Sequence, residues 1–203
     1  MKIAIIGASG FVGTPLLEEA LARGHQVTAV TRHPEKVPAN KNMKAVKADV
    51  NNENELAHAL EGVEAVISSV HFSQSDIGKI LGAVKKAHVP RLLVVGGAGS
   101  LQVANGMALY DTPEFPEAYK VEAKAGGKFL ENLRKEKEVK WTFLSPSAEF
   151  TAQKRTGTFR LGDEKLLLDK NGRSHISVQD YAIAMINELE KPEHIQKRFT
   201  VGY

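Results

Sequence analysis

The chain has 203 residues, 42% hydrophobic and 25% charged, with a formal net charge of +3 and no cysteine. That length suits one core in one domain, 1–203, and the lack of cysteine excludes a disulfide framework, a thiol nucleophile and a cysteine-based zinc site. Charges of both signs are interspersed, so no basic stripe argues for nucleic acid, and no apolar run is long enough to span a membrane.

The first buried stretch (3–6, Ile-Ala-Ile-Ile) follows Met1-Lys2 directly. No leader is therefore expected, and a cytoplasmic location goes with that expectation. An unbroken apolar run of this kind suits a strand buried on both faces. Gly7, Gly10 and Gly13 follow at three-residue spacing, and a helical apolar period over Val12, Leu16, Leu17, Ala20 and Leu21 begins at once, closed by Gly24. Pro15 fits that helix only in its first turn. A strand, glycine turn and helix in this order aim backbone N–H groups and the positive end of the helix dipole at one place, which suits an anionic diphosphate. The glycines supply a tight turn, close approach of backbone to phosphate, and close packing of helix on strand. Ala8, Ser9, Phe11 and Val12 complete the turn.

Further strands are expected at 26–30, 43–46, 65–67, 92–95 and 141–144. Between them run helical patterns carried by Leu56 and Leu60, by Ile77, Ile80, Leu81 and Val84, and by Val121, Ala125, Phe129 and Leu133. Past Pro146 the pattern changes. A polar loop is read at 150–155, a short strand at 158–161, and a hairpin of 166–168 with 175–176 around the Asn171-Gly172 turn. A last helix carries Tyr181, Ala182, Met185, Ile186 and Leu189, and a strand closes the chain at 198–201. The fold class is α/β: a Rossmann-type doubly wound parallel sheet, strand order 3-2-1-4-5-6, with a small C-terminal pocket-forming extension. Residues 147–180 are expected to form its substrate-side wall.

In such sheets the ligand lies beyond the carboxyl ends of the strands, and the end of the second strand reads the ribose. Here that end is Thr31-Arg32-His33, with no carboxylate before Glu35. Arg32, assisted by Lys36, suits a 2′-phosphate, so NADP is preferred; stacking of the same arginine on adenine serves NAD as well. Asp49, followed by Val50, either accepts from the adenine amino group or makes a local turn bond. Ser69 and His71 follow the fourth strand near the ribose, and Gly97 and Pro146 complete the cofactor set. Phe72, Ser147 and Phe150 are the substrate candidates, with Phe159 and Arg160 as further wall.

The glycine turn, Trp141-Thr142-Phe143-Leu144-Ser145-Pro146, Arg155-Thr156-Gly157, Ile176-Ser177-Val178-Gln179-Asp180-Tyr181-Ala182 and Arg198-Phe199-Thr200-Val201 occur in this order. With them the whole chain resembles the atypical short-chain dehydrogenase/reductase group with NmrA-like members. Within that group it is most similar to bacterial NADH-flavin reductases, and more distantly to the biliverdin-IXβ/flavin reductase. The resemblance implies NAD(P)H binding and reduction of a flavin or quinone, with flavin a substrate rather than a prosthetic group. It also implies a serine near the nicotinamide after the fifth strand, for which the alignment offers Gly99 or Ser100. The biliverdin-type histidine after the sixth strand falls near Ser147, a departure.

The superfamily's usual proton donor is Tyr-x-x-x-Lys, with both residues on one helix face. Here Tyr119 is followed four residues later by Ala123, and neither Lys120 nor Lys124 shares its face well. This counts against alcohol, ketone and nucleotide-sugar epimerase chemistry. It suits a flavin or quinone acceptor, whose second proton can come from solvent. His71, Ser100 and Tyr119 are the catalytic candidates, while Asp180 reads as a helix N-terminal residue facing the dipole. The seven histidines are scattered, so no metal is expected. The expected protein is an NAD(P)H-dependent oxidoreductase acting on a small aromatic acceptor as monomer or homodimer, without a nucleic-acid or membrane partner. The alternative is a non-catalytic NADP(H)-binding redox sensor.

Overall fold

In a computed structural model that describes residues 1–203, the apolar runs become strands whose alternate residues feed two cores. The chain runs β1 (Lys2–Ile6), α1 (Gly13–Ala22), β2 (Gln26–Thr31), β3 (Met43–Lys47), α2 (Glu53–Ala59), β4 (Ala65–Ser68), α3 (Ile77–Lys86), β5 (Arg91–Val95), α4 (Glu117–Leu133) and β6 (Lys140–Ser145). The tail adds β7 (Glu149–Thr151), β8 (Arg160–Gly162), β9 (His175–Ser177), α5 (Val178–Glu190) and β10 (Lys197–Gly202). Ile3 and Ile5 of β1 pack with Leu16 and Leu17 of α1 and Met185 of α5. Their neighbours Ala4 and Ile6 face α2, α3 and α4 through Leu56, Ile80 and Phe129. Period-two alternation in strands that are apolar at every position therefore covers both faces of the sheet with helices.

The sheet order is β3-β2-β1-β4-β5-β6-β10-β8. β1 to β6 are mutually parallel in the expected order. β10 adds a parallel strand beside β6, and β8 an antiparallel edge. The strand order reverses at β1 and β4, which opens a crevice at their carboxyl ends. Pro15 falls in the first turn of α1, and Gly24 leaves that helix with φ +79°. None of the helices is long and apolar enough to cross a membrane.

The tail departs from the expected hairpin. Asn171-Gly172 does turn the chain, with Gly172 at φ +77°. The Asp169 carboxylate, however, accepts from the Asn171 and Arg173 N–H groups at 2.8 and 2.9 Å. A side chain thus satisfies the turn, and no antiparallel ladder grows from it. β9 pairs instead in parallel with β7, inside the stretch read as polar loop. At the head of α5 the Ser177 hydroxyl accepts from the Asp180 N–H at 3.0 Å. The buried Asp180 carboxylate accepts from the Thr156 hydroxyl at 2.6 Å, the Gly157 N–H at 2.8 Å and the Tyr203 hydroxyl. Burial alone would raise this carboxyl; the bonds from Thr156, Tyr203 and Gly157 outweigh it and hold it below the usual range.

Candidate functional site

A cleft of about 860 Å³ runs along the carboxyl ends of the central strands, within the range of small-ligand and cofactor sites. Its floor is the glycine turn. Gly7 has φ +80°, and a side chain there would strike the Ser69 carbonyl. A Cβ on Gly13 would strike the Gly7 carbonyl, so α1 can lie against the turn only with glycine at that position. The N–H groups of Phe11, Val12 and Gly13 have no acceptor within the chain, as at the start of any helix not capped by a side chain. These donors and the positive end of the α1 dipole lie together at the turn. Ala8 is packed in the core behind the turn. Neither Ala8 nor Gly13 lines the cleft; their part is to let helix and strand close up behind its wall.

At the β2 end the Ser9 hydroxyl lies 2.8 Å from that of Thr31, which also accepts from the His33 N–H at 3.1 Å. These bonds brace the turn into which the exposed Arg32 side chain is set on the cleft wall. Asp49 and Val50 line the same end. One Asp49 carboxylate oxygen accepts from the Asn51 N–H at 2.9 Å, the local turn bond of the two readings. Asn51 itself escaped the sequence reading. Its side chain donates to the Gln74 carbonyl at 2.8 Å and accepts from the Asp76 N–H at 3.1 Å, tying the β3 exit to the β4 exit.

Ser69, His71 and Phe72 after β4, Gly97 and Ser100 after β5, and Pro146 and Phe150 after β6 all line the cleft. Ser100 accepts from the Arg198 guanidinium of β10 at 2.9 Å, and Arg198 is paired in turn with Glu164. Phe150 packs on the buried Tyr181 with ring centres 4.8 Å apart and meets Phe11 edge-on across the cleft mouth at 6.3 Å. Ser147 is not in the wall: it is buried, and its hydroxyl donates to the Val201 carbonyl at 2.9 Å. Pro146 turns the chain so that Ser147 faces β10 and Ala148 takes the cleft position. Of the 147–180 stretch only Ala148, Glu149 and Phe150 reach the cleft. Phe159 packs against the α1/α5 core instead, and Arg160 donates to the Leu168 and Tyr203 carbonyls at 2.6 Å. Buried Tyr181 donates to the Leu144 carbonyl at 2.7 Å, and burial drives its phenol far above the ordinary range, which leaves it no acid–base role.

α4 presents Tyr119, Glu122, Ala123, Gly126 and Gly127 to the cleft, spaced as one helix face. Lys120 pairs with Glu117 at 2.9 Å, and neither it nor Lys124 lines the cleft. Glu122 was legible from that spacing but overlooked. Its carboxylate accepts from the Phe72 and Ser73 N–H groups at 2.6 and 3.0 Å, and the His71 ring nitrogen lies 3.6 Å away. Partial burial opposes its charge, but the Ser73 and Phe72 donors prevail and keep the carboxyl below its ordinary value. Gly126 leaves room for the Phe72 ring, which a Cβ there would meet at 2.9 Å. α4 and the β4 exit thereby form one apolar wall.

Comparison with known proteins adds three relatives and a family. The family model described as NAD(P)H-binding matches residues 7–192. The uncharacterized protein YwnB of Bacillus subtilis is 42% identical, over 99% of this chain and 98% of its own. A solved structure from Bacteroides thetaiotaomicron, named a "putative epimerase", has 51% identity and a TM-score of 0.95 over all of this chain and 96% of the other. One from Streptococcus pneumoniae, named a "putative NADH-flavin reductase", has 36% identity and a TM-score of 0.85 over all of this chain and 99% of the other.

Proposed function

The chain belongs to the NAD(P)H-binding family, and from that premise we propose that it oxidises NADPH and reduces a flavin or quinone-like ring, as an atypical short-chain dehydrogenase/reductase. The observation that carries this reading is the face α4 turns to the cleft. Where the superfamily sets a lysine one helical turn after the tyrosine, this chain has Ala123, followed by Gly126 and Gly127. The proton relay that sugar or alcohol chemistry needs, an epimerase's included, has no second member here. In this reading a flat acceptor ring lies in the cleft beside Phe72 and Phe150, the Phe72 ring itself filling the space next to Gly126.

When bound, the reduced nicotinamide supplies a hydride, which the acceptor takes up together with one proton from solvent. The protein holds the two rings in register: the glycine turn fixes the diphosphate, Arg32 the 2′-phosphate, and the aromatic walls exclude water from the contact. Ser100 and Tyr119 offer hydroxyls, and His71 an imidazole, at the rim of the acceptor. The test is acceptor-dependent loss of NADPH absorbance with the purified chain. Saturable binding with turnover on menadione or a flavin is expected. Binding of both redox forms of the nucleotide without turnover on any ring overturns the enzymatic reading in favour of a redox sensor.

A further inference from the structure

Charges around the cleft are sorted by position. Arg32 is the one arginine or lysine in its wall, and it lies with His33 and the Asp49 carboxylate, itself bonded to the Asn51 N–H, at the β2 end. Beyond the β4 exit the charged side chains of the wall are Glu114, Glu122 and Glu149, with the His71 ring at the boundary, 3.6 Å from Glu122. Glu149 is neutralised by Arg173 at 2.6 Å, and Glu122 is occupied by backbone donors. Glu114 has no ion-pair partner and is exposed at the rim. Lys120 is paired with Glu117, and Arg198, buried behind Ser100, with Glu164. The N-terminus of α4, the one device here that would favour an anion, already carries Glu117 in its first turn.

We propose that the acceptor half of the cleft selects uncharged or cationic planar rings and rejects phosphorylated ones, so that riboflavin is a better acceptor than its 5′-phosphate, FMN. The inference rests on the reading of this cleft as a hydride-transfer site and specifies what that site takes. Recognising a phosphate calls for an arginine fork, a lysine or a free helix N-terminus. This half of the cleft offers the exposed Glu114 carboxylate instead, and a like charge at a rim discriminates against a partner even where every other contact is kept. The redox step is identical for both rings: each receives a hydride from NADPH and one proton from water, giving the dihydroflavin and NADP+. A difference between them therefore reports recognition and not chemistry.

The experiment compares kcat/KM for riboflavin, FMN and menadione with the full-length chain at low and high ionic strength. Riboflavin should exceed FMN by roughly tenfold or more at low salt, and the gap should narrow at high salt as screening shortens the reach of the Glu114 carboxylate. Glu114→Lys, a charge reversal on an exposed side chain, should raise the FMN-to-riboflavin ratio of kcat/KM several-fold at low salt, and an unchanged ratio counts against the proposal. FMN equal to or better than riboflavin at low salt overturns the proposal while the hydride-transfer reading stands. No turnover with any of the three rings overturns both.

Discussion

Arg32 is an exposed cation on the cleft wall at the end of β2, where the proposed function sets a 2′-phosphate. A guanidinium on a 2′-phosphate makes charge-assisted bonds of about 1.5–3 kcal/mol. Arg32→Ser is therefore expected to weaken NADPH binding roughly ten- to hundredfold and to leave NADH nearly unchanged, read by fluorescence titration of each. Equal losses for both nucleotides would mean that the arginine stacks on adenine and reads no phosphate. The same scale shows why Ser147 could not be placed from sequence. One residue past Pro146 decides between the cleft and β10, and only the backbone path settles which side chain, Ser147 or Ala148, faces which way.

Among the elements, α5 depends most on a single side chain. Asp180 joins its first turn to Thr156-Gly157 and to the C-terminal Tyr203. Its carboxyl is held below the usual range in the folded chain. Its stabilising contribution is therefore complete above the unfolded value near pH 4 and is lost as pH falls through the lowered folded value. Asp180→Asn should cost roughly 2–3 kcal/mol at pH 7, and the gap from the parent protein should narrow progressively in urea melts as pH falls below about 4. A gap that stays constant with pH would remove the ionised carboxylate from the account. The motif Ser177-Val178-Gln179-Asp180 was legible as a helix start, because a serine cap and an acid three residues on are local. Its partners at 155–157 and 203 were not, because they reach Asp180 from elsewhere in the chain. The β7–β9 pair escaped for a related reason: neither strand has a strong pattern, and each is extended mainly because the other is beside it.

At the level of the whole molecule, a buried ion pair fastens the C-terminal additions to the nucleotide-type sheet. Glu188 of α5 accepts from Arg91 of β5 at 2.9 Å and lies 2.8 Å from the His194 ring, which stacks on Phe199 of β10 at 4.0 Å. The Thr142 hydroxyl of β6 receives an Arg91 bond at 2.7 Å, so three strands and a helix meet in one network. Removing one partner leaves the other charged and buried. Glu188→Ala should cost about 3–5 kcal/mol in urea unfolding, with nucleotide affinity unchanged under conditions where the variant remains folded. A loss below about 1 kcal/mol would show that water reaches Arg91 and that the pair holds little.

The sequence by itself determined the sheet, its six-strand order and the glycine turn between β1 and α1. Each of these rests on local physics: apolar runs that can be buried only on both faces, glycines at positions that admit no Cβ, and helices long enough to cross between parallel strands. Tertiary structure alone decided which side of the chain after Pro146 faces the cleft, that Glu122 fastens the β4 exit to α4, and that Glu114, Glu122 and Glu149 gather in the half of the cleft away from Arg32. Those outcomes bring together residues distant in the chain, and no period or spacing encodes a contact that exists only once the sheet has closed.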